Sequence, residues 1–496
     1  MTQDELKLKT ARAAKWSLTT QLLTKLMAPL TTMALARILV PEVFGIVAIA
    51  TMVFSLADII SDAGFKKYLV YKQFEDANDE SLCASTAFWI NLALSVILMV
   101  IIIIFSNEIV SLAGTPGYGS VLNLAVVSLP LTALISVQMG LLQKKLDFKT
   151  LFGSQVGARA LILLVSVPLA LAGFSYWSMI IGTLTSNAFL VVWLTVKSYW
   201  KPELRFSLKH LKSMYTYSKW VIVNSFLEWS TVWAGVFIIG FNLDPTAVGY
   251  FRTSTSMAYG LMGIIIAATA PVFLSSLSKV QDDGVRFRRI FYSLQKYLAL
   301  IVIPVACGAI VYRDTVTLLF LGPQWLDTST FFGLSIFANS IHVLFSFMVI
   351  NACFAIGKSK YPVFIKGLYQ IPMIASLYYS SLQGFEFLSV FFPATKLMLP
   401  IIAMFFARRA LSVSVWKMVS NLKWFYLIAI VSSVQGVAVT MLSNSAVLAA
   451  ISIMIFIITY VVLVCLIRST RIILIEFFDK MGWMKKIVAR LRTLGN

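Results

Sequence analysis

The chain has 496 residues, of which 59% are hydrophobic and only 12% charged, with a formal net charge of +20. A soluble domain carries about 25% charged residues, so this composition excludes an ordinary water-soluble enzyme and points to a protein whose main solvent is lipid. The four cysteines form no CxxC pair and sit mostly in apolar stretches, which excludes a metal or disulfide framework and leaves them as small core residues.

The N-terminal "MTQDELKLKTARAAKW" is polar and runs straight into a full-length apolar span, so no cleavable signal is expected. From there apolar stretches of about 20 residues, each long enough to cross ~30 Å of hydrocarbon, recur to the end of the chain. Fourteen spans are expected at about 14–36, 43–64, 83–105, 120–142, 150–172, 175–196, 217–240, 247–275, 291–312, 329–355, 361–381, 386–407, 424–442 and 446–467. Lysine and arginine cluster in alternate loops and both termini, while the intervening loops hold only Arg37 and Arg313. Under the positive-inside rule both termini are then cytoplasmic. This alternation also assigns the charge to an inner membrane surface and away from nucleic acid. Past the last span, "RSTRIILIEFFDKMGWMKKIVARLRTLGN" places Phe477, Phe478, Met481, Met484, Ile487, Val488 and Leu491 on one face. With Lys485, Lys486, Arg490 and Arg492 it reads as an interfacial helix over anionic headgroups.

One phrase is written twice. "ILVPEVFG" at 38–45 matches "NLDPTAVG" at 242–249, Pro41 on Pro245 and Gly45 on Gly249, and the frame runs back to Lys15–Trp16 on Lys219–Trp220. Each copy alone is simply a turn, with Pro ending one connection and Gly permitting a tight start to the next helix. The shared spacing asks for more. Both copies lie on the same side, six spans apart, as in a parallel internal repeat. The expected architecture is an all-α polytopic membrane protein: an N-lobe over 1–200 (spans 1–6), a pseudo-symmetric C-lobe over 201–410 (spans 7–12), two further spans over 411–470, and a basic amphipathic tail over 471–496.

Enzyme motifs are nearly absent. "ACFAIGKS" at 352–359 imitates a relaxed P-loop, but it ends a span where a P-loop needs a preceding strand. No large external loop is present to hold a catalytic domain, and no catalytic residue, metal ligand set or cofactor is assigned. Charges inside spans are more informative, because an intramembrane ionisable group is expensive and marks function by default. Arg252, Lys296 and Lys366 lie within a turn or so of a span end, where long side chains snorkel to water. Lys25, Arg159 and Lys396 fall near mid-span, with Glu228 also near the middle and Asp58 deeper toward the cytoplasm. As structural ion pairs these charges would hold the lobes together. As a functional cluster they would make a cationic cavity: Lys25, Arg159, Lys396 and Arg252 for a phosphate or diphosphate, Glu228 and Asp58 for a coupling cation or an ion pair. Both readings stay open.

"AAKWSL", "LARILVPEVFG", "LADIISDAGF", "LLQKKLDF", "PELRFSL", "PVFLSSLSKVQDD", "LGPQW" and "AIGKSKYP" occur in this order from about residue 10 to 365. Together they resemble the polysaccharide-transporter branch of the multidrug/oligosaccharidyl-lipid/polysaccharide exporter superfamily, the Wzx-type O-antigen and colanic-acid flippases. The resemblance implies the flippase fold of that superfamily, two lobes about a cationic cavity, and alternating access. It also implies a function: moving an undecaprenyl-diphosphate-linked oligosaccharide from the cytoplasmic to the periplasmic leaflet of the inner membrane for O-antigen, exopolysaccharide or capsule synthesis. The implied partners are that lipid-linked oligosaccharide, membrane lipids, a polysaccharide polymerase and a chain-length regulator. A cation-coupled drug or metabolite antiporter on the same fold, and a non-transporting scaffold for polysaccharide assembly enzymes, are the alternatives.

Overall fold

The computed structural model describes residues 3–442 and 446–481. Among them no strand occurs. The chain is a multi-pass membrane protein, with eleven segments long and apolar enough to cross a bilayer among the described residues. The other three expected spans fall on helices Gln3–Ala36, Lys360–Leu382 and Lys423–Leu442. The chain divides into two compact units, 1–253 and 254–496.

The first unit contains α1 (Gln3–Ala36), α2 (Pro41–Asp62), α3 (Phe65–Tyr71), α4 (Ala77–Ile104), α5 (Ser106–Leu112), α6 (Gly119–Val126), α7 (Ser128–Lys144), α8 (Phe148–Leu171), α9 (Ser175–Lys197) and α10 (Leu208–Asn242). Helix α2 starts because Val40 is extended and Pro41 occupies the first helical turn, where its missing N–H costs nothing and its φ is already helical. It stops at "DAGF". Ala63 and Gly64 are both left-handed, with φ of 46° and 76°, a conformation that breaks an α-helix and is comfortable only for glycine. A Cβ on Gly64 would also lie 2.6 Å from Val221 Cγ1 of α10. The break lets α3 turn away and bury Phe65, Tyr68 and Leu69 against Cys83, Ala84 and Ala87 of α4 and Val137 and Leu141 of α7.

The second unit holds most of α11 (Pro245–Ser278), then α12 (Gly284–Val311), α13 (Arg313–Phe320), a 3-10 turn, α14 (Ser329–His342), a π-helical turn at Val343–Phe347, α15 (Met348–Ala355), α16 (Lys360–Leu382), α17 (Phe385–Lys396), α18 (Met398–Leu411), α19 (Val415–Ser420), α20 (Lys423–Leu442), α21 (Ala446–Leu466) and α22 (Arg468–Met481). Two expected spans are interrupted, the fourth at Val127 between α6 and α7 and the twelfth at Leu397 between α17 and α18. In each case a proline, Pro130 or Pro400, lies three residues on. Proline has no N–H for the carbonyl four residues back, so the helix restarts with the proline in its first turn. Helix α22 carries the start of the expected interfacial tail. It packs on α12, with Ile473 and Leu474 buried and Tyr297 donating to Glu476 at 2.8 Å. The rest of that tail, Met484 to Leu491, is outside the described residues.

Candidate functional site

Helix α2 carries a distinct feature at each end. At its start the two repeated turns meet. A Cβ on Gly45 would sit 1.7 Å from the carbonyl oxygen of Pro245, and a Cβ on Gly249 would sit 1.9 Å from that of Pro41. The contact is reciprocal: each glycine faces the proline of the other copy. Only hydrogen fits there, so the backbones of α2 and α11 touch directly.

At the other end of α2 lies a cavity of about 280 Å³. Asp58 and Asp62, one turn apart on α2, both line it, with Lys66 of α3, Asn91 of α4, and Thr132 and Ser136 of α7. Thr132 Oγ1 donates to Asp58 Oδ1 at 2.7 Å, and Ser136 Oγ donates to Asp62 Oδ1. The Lys66 ammonium is 3.8 Å from Met139 Sδ. Asn91 is 1% exposed, and neither its Nδ2 nor its Oδ1 has a hydrogen-bond partner. An open groove of about 700 Å³ shares Lys67 and Val221 with this cavity and is walled by Tyr68, Tyr71 and Tyr217. Tyr71 and Tyr217 are stacked with centroids 5.4 Å apart.

The charges singled out in the sequence lie on α1, α2, α8, α10, α11 and α17. None of Lys25, Arg159, Glu228 and Arg252 lines the Asp58 cavity. Lys25 is half-buried on α1, and Arg159 is exposed on α8. Glu228 is exposed on α10 and accepts from Asn224 Nδ2 at 3.3 Å. The guanidinium of Arg252 stacks over Trp233 at 4.2 Å. Lys396, in the second unit, is different. It ends α17, is 7% exposed, and its ammonium has no hydrogen-bond partner. Its neighbours are the faces of Tyr259 and Phe392, at 5.0 and 5.1 Å. On α14, which packs against α17, His342 Nδ1 is also buried and unsatisfied. The second unit has its own groove, about 560 Å³ and almost wholly apolar, lined by residues such as Leu300, Pro304, Phe456 and Tyr460.

Asp62, Lys66, Asn91, Thr132 and Ser136 were not singled out in the sequence. The spacing Asp58–Asp62–Lys66, four residues each, is the signal that would have found the first two. Nothing in the sequence distinguishes Asn91 from any other buried amide.

A family model described as "Polysaccharide biosynthesis protein" matches residues 34–330. The chain is 29% identical to an uncharacterized membrane protein in the cps region of Klebsiella pneumoniae, over 65% of this chain and 66% of that one. It is 23% identical to the succinoglycan biosynthesis transport protein ExoT of Rhizobium meliloti, over 62% and 61%. It is also 23% identical to the lipopolysaccharide biosynthesis protein WzxC of Escherichia coli, over 64% of each. In every case the chain spans just under two thirds of the relative's length. Among solved structures, the lipid II flippase MurJ in an inward closed conformation superposes with a TM-score of 0.73 at 14% identity, covering 91% of this chain and 98% of that one. An inward-facing multidrug resistance transporter of the MATE family gives 0.59 at 14%, covering 79% and 94%. Both likenesses describe the fold.

Proposed function

The chain belongs to the polysaccharide biosynthesis protein family, and from that premise we propose that it is a flippase for undecaprenyl-diphosphate-linked oligosaccharides. In this reading it sits in the inner membrane with both termini cytoplasmic. It carries the sugar head from the cytoplasmic to the periplasmic leaflet by alternating access between two six-helix lobes. A diphosphate sugar cannot enter hydrocarbon unaided, whereas its prenyl tail is stable there. The protein therefore has to shelter only the head, and it makes or breaks no covalent bond.

The observation that carries this reading is Lys396. An ammonium buried among membrane helices with no hydrogen-bond acceptor is costly even beside two aromatic faces, and a diphosphate arriving in the translocation path would supply the missing acceptors. Lys25, Arg159 and Arg252 are further contacts in this reading, Arg252 after leaving its place over Trp233. The paired turns, Pro41–Gly45 and Pro245–Gly249, then act as the seal and hinge of the periplasmic side. The test is the sidedness of lipid-linked oligosaccharide in cells with and without the gene. Complete repeat units should accumulate on the cytoplasmic leaflet of the deletion, and surface polysaccharide should be lost. Unchanged sidedness, with no paralogue covering the loss, would sink the flippase and favour an antiporter of other amphiphiles.

A further inference from the structure

We infer that the cavity at the end of α2 is a sodium site, formed by Asp58, Asp62, Asn91, Thr132 and Ser136. It rests on the transport reading only for its use as a coupling site. The binding itself is argued from this cavity alone.

The donor set is all oxygen: two carboxylates, two hydroxyls and an amide carbonyl. Oxygen ligands of this kind suit hard cations. The charge selects among them. Asp58 and Asp62 contribute two negative charges, and Lys66 on the same cavity wall, which interacts electrostatically with both, offsets one. One net negative charge remains, which a monovalent ion neutralises and a divalent ion would overshoot. Lys67 also lines the cavity but is exposed, at the mouth shared with the tyrosine groove, where water screens it.

Asn91 supplies the independent observation. A buried amide normally finds partners for its oxygen and its nitrogen. At 1% exposure, with both atoms unsatisfied on the wall of this cavity, it lacks a ligand of the cavity's own. An ion accepts the Oδ1 lone pair, and water bound to that ion, or a carboxylate oxygen, accepts from Nδ2. About 280 Å³ holds a sodium ion with several waters, each of which occupies about 30 Å³ in the liquid. The three helices that supply the oxygens, α2, α4 and α7, pack mutually, while α3 and α10 complete the lining with Lys66, Lys67, Val221, Ile222 and Ser225, so the oxygens are held by rigid elements. Because the donors come from three helices, occupancy favours the arrangement in which α2 stays docked on α4 and α7. That is the differential binding a coupling ion needs.

The test is binding of ²²Na⁺ to the purified full chain in nanodiscs, with no lipid-linked substrate, displaced by unlabelled NaCl or by choline chloride. The expected result is saturable binding that NaCl displaces and choline chloride does not. Asp58→Asn and Asn91→Leu should each weaken it at least tenfold, and Glu108→Gln, at an exposed position on α5, should leave it unchanged. If Asp58→Asn fails to give a cooperative melt, Asp62→Asn serves in its place. No saturable binding between pH 6 and 9 by the folded wild type overturns the site, as it would if only protons bind there. Undiminished binding by the folded double variant Asp58→Asn/Asp62→Asn overturns it as well. The two readings separate cleanly: sodium binding without flipping sinks the transport reading and keeps the site, and flipping without sodium binding does the reverse.

Discussion

The two ends of α2 are built on opposite principles. At Pro41–Gly45 everything that takes up space has been removed. Two backbones touch through glycine, and a single Cβ would overlap a carbonyl oxygen on either side. At Asp58–Asp62 polar groups line an open cavity, and the one fully buried amide there, Asn91, has no partner. Close packing of small residues is how membrane helices approach each other without polar groups, and it gives a contact that is either fully made or lost. Charged cavities are costly in the same solvent and persist where they bind something. One helix thus joins a steric seal to a polar site about 17 residues on, and a rigid tilt of α2 would disturb both together.

Breaking the seal should have the largest effect. Gly45→Ala or Gly249→Ala forces the turns apart, and overpacking of this kind costs about 1–3 kcal/mol. Thermal unfolding in nanodiscs should fall accordingly. Spin labels at Glu42→Cys and Thr246→Cys, in a background without the native cysteines, should report a longer separation. An unchanged distance would mean that the reciprocal contact does not hold the turns. Sodium binding to the separated state should weaken only if the ends of α2 are coupled, which is the sharper form of the comparison.

Lys396 tests the cost of a polar site without the complication of a neighbouring acid. Replacing its ammonium by the thioether of Lys396→Met removes an unsatisfied buried donor and should stabilise the fold by about 1–3 kcal/mol. Flipping should fall at the same time if the diphosphate is its partner. A stabilised variant that still flips would remove Lys396 from the translocation path. A smaller effect is expected at Thr132→Val, which deprives Asp58 of its 2.7 Å donor. Hydrogen bonds to charged groups contribute about 1.5–3 kcal/mol when buried. Asp58 is only half-buried, so a loss of about 1 kcal/mol is the reasonable expectation, read as weaker sodium affinity with the turn distance unchanged.

These contrasts also explain what the sequence reveals and what it conceals. Spans are legible because hydrophobicity is additive along a helix, and alternating basic loops fix their parity. The interruptions at Val127 and Leu397 were foreshadowed by Pro130 and Pro400, although a hydropathy count passes over them. The repeat shows that the two turns are equivalent, but equivalence does not imply adjacency, so the contact between Gly45 and Gly249 had to come from the structure. Asp58 stood out by depth, whereas Asp62 and Lys66 were hidden by position: they end a span, where charge is ordinary. Asn91 is informative only through what it fails to touch. Lys25 is half-buried while Arg159 and Glu228 are exposed, a difference the sequence does not give, because depth along the membrane normal says nothing about which way a side chain faces.

The smallest predicted effect is a pH dependence beside the polar end. His210, at the start of α10, is held between two charges: its Nε2 is 3.1 Å from Asp79 Oδ1, and its Nδ1 is 3.2 Å from Lys72 Nζ. Lysine can only donate, so Nδ1 accepts, Nε2–H donates to Asp79, and the ring is neutral. Burial, and then the Lys72 charge, hold the imidazole below its usual value near 6.5, against the opposing pull of Asp79. Lys209 acts in the same direction as Lys72; Lys144 and Glu80, paired at 3.8 Å, lie on neighbouring elements. A base whose folded pKa is depressed contributes stability that is fully present above about pH 6.5 and is lost as pH falls through the folded value. Acidification from pH 7.5 to 5.5 should therefore loosen the tie between α3, α4 and α10. Lys72 and Asp79 are each partly exposed, which limits the change to less than about 1 kcal/mol. His210→Gln, whose amide keeps one donor and one acceptor and does not titrate, should melt at a temperature less sensitive to pH over that interval. Equal slopes for the two proteins would show that the acid sensitivity of this region arises elsewhere.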